Sequence, residues 1–224
     1  MPGDRERLQQ ELGYEFTDPA LLELALTHRS CGSTNNERLE FLGDSILNHC
    51  VAEALFQQFT NATEGELSRM RAALVKGETL AEVARELALG DALRLGSGEL
   101  KSGGQRRDSI LADTLEAIIG AVLLDADVSA ARDLVLRLFD ARLAAVSPQA
   151  APKDAKTSLQ EYLQGRGLPL PDYQLAAVAG EDHRQQFTVV CSLSKPVLQR
   201  DATGHSRRKA EQAAAAAVLE VLGE

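Results

Sequence analysis

Two short stretches carry acids where an apolar helix would not need them. In "NNERLEFLGDSIL" (residues 35–47), Glu37, Glu40 and Asp44 fall within about 60° of one another on a helical wheel, so they share a face. In "SILADTLEAIIGA" (109–121), Asp113 and Glu116 stand one turn apart. Acids at such spacings are ordinarily the solvated face of an amphipathic helix. Here Leu39, Phe41, Leu42, Ile46 and Leu47 surround the first group, and aliphatics surround the second nearly all round. Clustered carboxylates in an apolar setting repel one another and resist ionisation unless a cation sits among them. If the two helices pack face to face, four or five carboxylates converge, with Gly43 and Gly120 permitting close backbone approach. An oxygen-only donor set suits Mg²⁺, with Mn²⁺ as a substitute, rather than zinc. Such ions, alone or as a pair roughly 3.5–4 Å apart, promote in-line displacement at phosphorus, which points to phosphodiester hydrolysis. Glu37 sits at the expected helix start, where an acid is favourable through the helix dipole alone. His28 and His49 fall in apolar-periodic helices and read as structural.

The elements that must hold these acids follow from periodicity. Apolar repeats at helical spacing run over about 37–59, 64–75, 78–88, 109–124 and 128–145, preceded by "DPALLELALTH" with Thr17 as N-cap and Pro19 in the first turn. "AAVSPQAAPKDAK" (144–156) breaks the pattern and reads as a linker. Beyond it come a short helix with Leu159, Tyr162 and Leu163 on one face, then strands in "YQLAAV", "FTVVCSL" and "PVLQRDA". Phe187, Val189, Cys191 and Leu193 alternate onto one side of the middle strand. A last helix carries Ala210, Ala213, Ala214, Ala217, Val218 and Val221 as a stripe. The expected architecture is an all-α domain over 1–146, a linker at 147–153, and an α-β-β-β-α domain of the α+β class over 154–224.

The net charge of −9 hides a split, because residues 1–152 carry all the excess acid and 153–224 balance nine cations against nine anions. An acidic half that approaches a polyanion needs a counter-ion, and a divalent metal supplies one. In "TGHSRRKAEQ" Ser206 is a natural N-cap, yet Arg207, Arg208 and Lys209 fill the positive end of the helix dipole. That arrangement makes sense opposite a phosphate backbone. No apolar run approaches the roughly 20 residues that cross a bilayer, and the charged start "MPGDRERLQQ" suggests no export, so a cytoplasmic location with no membrane association is expected. Cys31, Cys50 and Cys191 lack any paired spacing and read as buried apolar filler.

"NERLEFLGDSIL" closely resembles the signature of the ribonuclease III family, and "DSILADTLEAIIGA" resembles that family's second acidic helix. The α-β-β-β-α tail resembles the double-stranded RNA-binding domain that follows the catalytic domain in bacterial members. The resemblance implies that Glu40, Asp113 and Glu116 are metal ligands, Asp44 and Glu116 active-site residues, and Glu37 a supporting acid. It also implies a homodimer through the signature helix, with Phe41 packing into the partner. Cys31, after "THRS", departs from the aromatic expected there. In the tail it implies RNA contacts from Gln160 and Glu161 and from His183, beside Ser206, Arg207, Arg208 and Lys209. Thr157 and Gln160 also fit a capping box, a purely structural alternative. The implied activity is a Mg²⁺-dependent endoribonuclease acting on double-stranded RNA. It would leave 5′-phosphate and 3′-hydroxyl ends with short 3′ overhangs and process ribosomal RNA precursors and structured messages. A protein that only masks duplex RNA would need no acids, and a nucleotide phosphohydrolase would need no RNA-binding tail.

Overall fold

The computed structural model describes residues 2–148, 155–180 and 185–223, with the backbone alone for 2–4. The chain divides into two compact units, Met1–Ala151 and Pro152–Glu224. The first is helical: α1 (Pro2–Leu12), α2 (Pro19–Ala25), α3 (Glu37–Gln58), α4 (Glu64–Leu74), α5 (Gly77–Glu86), α6 (Leu89–Ala92), α7 (Ser97–Lys101), α8 (Asp108–Asp125) and α9 (Val128–Ala145). Single 3₁₀ turns lie at Arg29–Cys31 and Gly104–Arg106.

The organising element is α8, eleven of whose eighteen residues are buried, so it must be enclosed by other helices. Leu111, Leu115, Ile118 and Ile119 are essentially inaccessible to solvent and join Leu39, Leu47, Val51 and Leu55 of α3 in one core. Each such side chain contributes on the order of 1.5–3 kcal/mol by leaving water. The approach of α3 to α8 is set by two glycines. A Cβ on Gly43 would lie 1.7 Å from the Glu116 carbonyl oxygen, and one on Gly120 would lie 2.3 Å from that of Leu39. Only residues without a side chain allow the backbones to meet there.

Helix starts follow local chemistry. Thr63 and Glu66 form a reciprocal capping box on α4, and Asp127 accepts from the Ala130 N–H to open α9. Asp18, not Thr17, caps α2: Pro19 is the first helical residue, so the preceding side chain takes the Ala20 N–H at 2.9 Å. The Thr17 N–H is instead held by Asp125, which also accepts from Asp18 N–H and from the Tyr14 hydroxyl at 2.7 Å. Burial and that carboxylate push the Tyr14 phenol up to about 12. Cys31 corrects the expectation of buried filler; it is exposed in a 3₁₀ turn and its thiol donates to the Arg94 carbonyl, whereas Cys50 and Cys191 are buried.

The second unit runs α10 (Ala155–Gly165), β1 (Asp172–Ala179), β2 (Gln186–Ser194), β3 (Val197–Gly204) and α11 (Arg207–Leu222). The strands form an antiparallel sheet in the order β1-β2-β3, with a register shift between Leu175 and Ala177. Leu159 and Leu163 of α10 and Ala214, Ala215 and Val218 of α11 pack on Cys191 and Leu193. Phe187, on the same side of β2, is only half-buried. The α11 stripe differs from expectation at its edges. Ala215 is buried while Ala213 and Ala217 are half-covered, and Leu219 and Leu222 rather than the exposed Val221 close the last turn. Thr157 is the third residue of α10, inside the helix rather than at its N-cap, so the capping-box alternative does not hold.

Candidate metal centre and nucleic-acid face

Glu40 projects from the first turns of α3 and Asp113 and Glu116 from α8, across the crossing that Gly43 and Gly120 permit. One carboxylate oxygen from each lies within 4.8 Å of those from the other two, and all three residues are half-buried. None of the three carboxyl groups has a hydrogen bond or ion pair to another described residue, while water can reach them. The electrostatic cost is visible. Burial, then the charges of Asp44, Asp113 and Glu40, push the Glu116 carboxyl up to about 8. Burial, with Asp113 and Glu37, also raises Glu40; burial raises Asp113, against the opposing pull of His28 and Arg29. Three half-buried oxygen donors, with Asp113 and Glu40 raising the proton affinity of Glu116 and no side chain of the protein bonded to any of them, form a site that a hard divalent cation fits.

The remaining two acids do not join this set. Asp44 is exposed beside it, its Oδ1 accepting a 2.8 Å hydrogen bond from Asn48 Nδ2. Glu37 is the exposed first residue of α3, 3.5 Å from the Arg29 guanidinium. The convergence expected of four or five carboxylates is therefore a core of three with two flanking acids. Sequence reading missed Asn48, although its i+4 spacing from Asp44 puts the two on one face, a signal that was available. Arg29 and His28 could not have been placed, because the turn carrying them has no periodicity. His28 lies beyond α2 in extended backbone, where its Nδ1 accepts from the Ser30 N–H and caps the turn. His49 is exposed on α3. Phe41, next to Glu40, is 78% exposed, a large apolar side chain presented to solvent.

In the second unit Ser206 caps α11 by accepting from the Lys209 N–H at 3.2 Å. Arg208 and Lys209 are exposed, whereas Arg207 pairs with Glu211 at 3.0 Å and Lys156 meets the same carboxylate at 2.6 Å. Those two cations hold Glu211 below the usual carboxylate range despite its partial burial. Between α10 and α11 lies an open concavity of about 660 Å³, lined by Thr157, Gln160, Tyr173 and Arg208 among others. It thus brings Gln160 of α10 and Arg208 of α11 to one face, with Glu161 exposed next to Gln160. His183 lies outside the described residues.

Two family models match this arrangement unit by unit: Ribonuclease-III-like over residues 18–143 and the double-stranded RNA binding motif over 155–222. The chain belongs to the ribonuclease III family. It is 60% identical to a protein named Ribonuclease 3 from Shewanella amazonensis over 97% of this chain and 96% of that one. It is 56% identical to one of the same name from Vibrio campbellii, with the same shares covered. Among solved structures, two of the nuclease domain of ribonuclease III from Campylobacter jejuni superpose with TM-scores of 0.61 and 0.60 at 47% and 49% identity. They cover 63% and 61% of this chain and 97% and 96% of theirs. The second concerns structural flexibility in a region involved in dimer formation of that protein. Among the described residues no helix is long and apolar enough to cross a membrane.

Proposed function

We propose that this ribonuclease III family protein is a cytoplasmic, Mg²⁺-dependent endoribonuclease that cleaves double-stranded RNA as a homodimer. The observation carrying the proposal is the three-carboxylate cluster of Glu40, Asp113 and Glu116, joined in one chain to an RNA-binding motif. These three residues would hold the ion, with Mn²⁺ able to replace Mg²⁺. A divalent cation there supplies positive charge to phosphoryl oxygens and acidity to water. Glu116 must give up the proton that burial favours before it can serve as a ligand, so loading and ionisation are coupled. Asp44, outside the ligand set, acts with Glu116 in the active site and orients the attacking water; Glu37 supports the site through Arg29.

Water adds to phosphorus as the bond to the 3′ oxygen breaks; that oxygen takes a proton, leaving a 3′-hydroxyl and a 5′-phosphate. Two centres in a dimer, packed through Phe41, would cut both strands with a stagger and leave short 3′ overhangs. In the tail, Gln160, Glu161, His183, Ser206, Arg207, Arg208 and Lys209 contact the duplex, reading A-form shape over roughly 16 bp more than sequence. Ribosomal RNA precursors and structured messages are the substrates this implies. A protein that only masked duplex RNA would have no use for three orphan carboxylates in a half-buried cluster, and an enzyme of small nucleotides none for the second unit.

Replacing Glu116 with Gln keeps its volume and removes its charge. The expected result is duplex binding retained with cleavage lost at every Mg²⁺ concentration. Undiminished cleavage would remove Glu116 from the mechanism.

A further inference from the structure

We infer that Asn48 is a positioning residue which holds the Asp44 carboxylate apart from the three-acid cluster and at the reacting water or substrate. The inference rests on the reading of Asp44 as an active-site acid. Asp44 and Asn48 are one helical turn apart on α3. The Asn48 amide nitrogen donates to Asp44 twice, to Oδ1 at 2.8 Å and to the main-chain oxygen at 3.0 Å. Both partners are acceptors, so the nitrogen rather than the oxygen of the amide must face them, and its two hydrogens are both committed. The amide is thereby anchored to the backbone by one hydrogen and grips the carboxylate with the other. Asp44 Oδ2 has no hydrogen bond to any described residue.

The consequence is directional. Glu40 lies one turn toward the start of α3 from Asp44, and Asn48 one turn toward its end. A carboxylate drawn to Asn48 is drawn toward the far side from Glu40: Asp44 stays near enough to lead the charges acting on Glu116, yet it is absent from the set whose oxygens all lie within 4.8 Å of one another. Asp44 is exposed, so without the amide its side chain would sample several staggered rotamers. With a cation lowering the repulsion from Glu116, its leading charged neighbour, an untethered Asp44 would be free to compete for a place among the ligands. Asn48 keeps the ligand set at three protein carboxylates and keeps the fourth for water or substrate.

The test uses the full-length protein with a perfect RNA duplex. Asn48→Ala is expected to lower kcat on the order of tenfold with KM little changed, as loss of an interaction made only in the reaction requires. Mn²⁺ affinity is expected to stay equal or to tighten, in contrast to Glu116→Gln, where it falls. Asn48→Gln, which can still donate across one helical turn, should restore most of the rate. On an Asp44→Ala background, Asn48→Ala should change the residual single-turnover rate by less than twofold. A full rate in Asn48→Ala, an equal loss on the Asp44→Ala background, or weakened Mn²⁺ binding would each overturn the inference. A fully active Asp44→Ala protein would overturn instead the reading of Asp44 on which it stands.

Discussion

Gly43→Ala places one methyl group where the structure has the Glu116 carbonyl oxygen. The new Cβ would sit 1.7 Å from that oxygen, and restoring the 3.0 Å below which real Cβ contacts essentially never fall requires the two backbones to part by about 1.3 Å. Gly43 is helical, so the effect is steric rather than a matter of backbone conformation. The contacted oxygen belongs to the residue whose side chain closes the acid cluster, so parting the helices moves Glu116 away from Glu40 directly. Mg²⁺ demands near-octahedral oxygen ligands at about 2.0–2.1 Å, and a misplacement of about 1 Å can cost a reaction 10²-fold. Overpacking a core costs about 1–3 kcal/mol, which in a domain of this size lowers Tm by several degrees. Single-turnover cleavage of a perfect duplex across a Mg²⁺ titration, with calorimetry, should therefore show a rate about 100-fold lower, a higher Mg²⁺ midpoint and a lower Tm. Duplex binding should persist. Gly120→Ala, whose Cβ would meet the Leu39 oxygen at 2.3 Å, should behave alike but less severely, and Gly77→Ala, with open space around it, should be silent. A Gly43→Ala protein within threefold of the parent in rate and unchanged in Tm would refute the reasoning that this crossing positions the acids.

The raised Glu116 makes metal binding pH-dependent. Since the metal-free site holds its proton up to about pH 8, apparent Mn²⁺ affinity should rise by up to about tenfold per pH unit below 8 and flatten above it, with proton release measurable by calorimetry in two buffers. The same group sets a stability slope. Between the ordinary value of 4.5 and about 8 the folded state binds a proton that the unfolded chain has lost, so metal-free stability falls as pH rises through that window, and Glu116→Gln should remove that contribution in denaturant titrations. Arg208→Ala should weaken duplex binding alike for all sequences and reduce the salt slope by about one, read by fluorescence anisotropy. Arg207→Ala should in addition lower Tm, because it also removes a partner of Glu211.

The acid cluster was legible because Glu40, Asp113 and Glu116 interrupt helices that are apolar on nearly every side. The glycines that let those helices meet were legible too, since each lies close in sequence to the acids it brings together. What could not be read was where a side chain turns once the helix is formed. Asp44 shares a face with Glu40 by periodicity, yet its hydrogen bond to Asn48 draws it the other way. Glu37 likewise meets Arg29, delivered by a 3₁₀ turn with no periodic signal. Arg207 looked like a cation directed wholly outward, although its i,i+4 spacing from Glu211 on α11 already allowed their pair; only the packing of α10 against α11 brings Lys156 to the same carboxylate. Thr17 lost its place as cap to Asp18 because Pro19 fixes the first helical residue, and Asp125, 107 positions along the chain, supplies the contacts that settle the segment. Val221 followed the alanine stripe on the wheel but falls where Leu219 and Leu222 already cover the core.

The central claim, a divalent ion held between α3 and α8 by three carboxylates, is tested most directly by anomalous diffraction from crystals grown with Mn²⁺. The account predicts a strong peak within about 2.0–2.3 Å of a carboxylate oxygen of each of Glu40, Asp113 and Glu116, with Asp44 outside direct ligation. A peak elsewhere on the protein, or none at millimolar Mn²⁺ above pH 8, would contradict it.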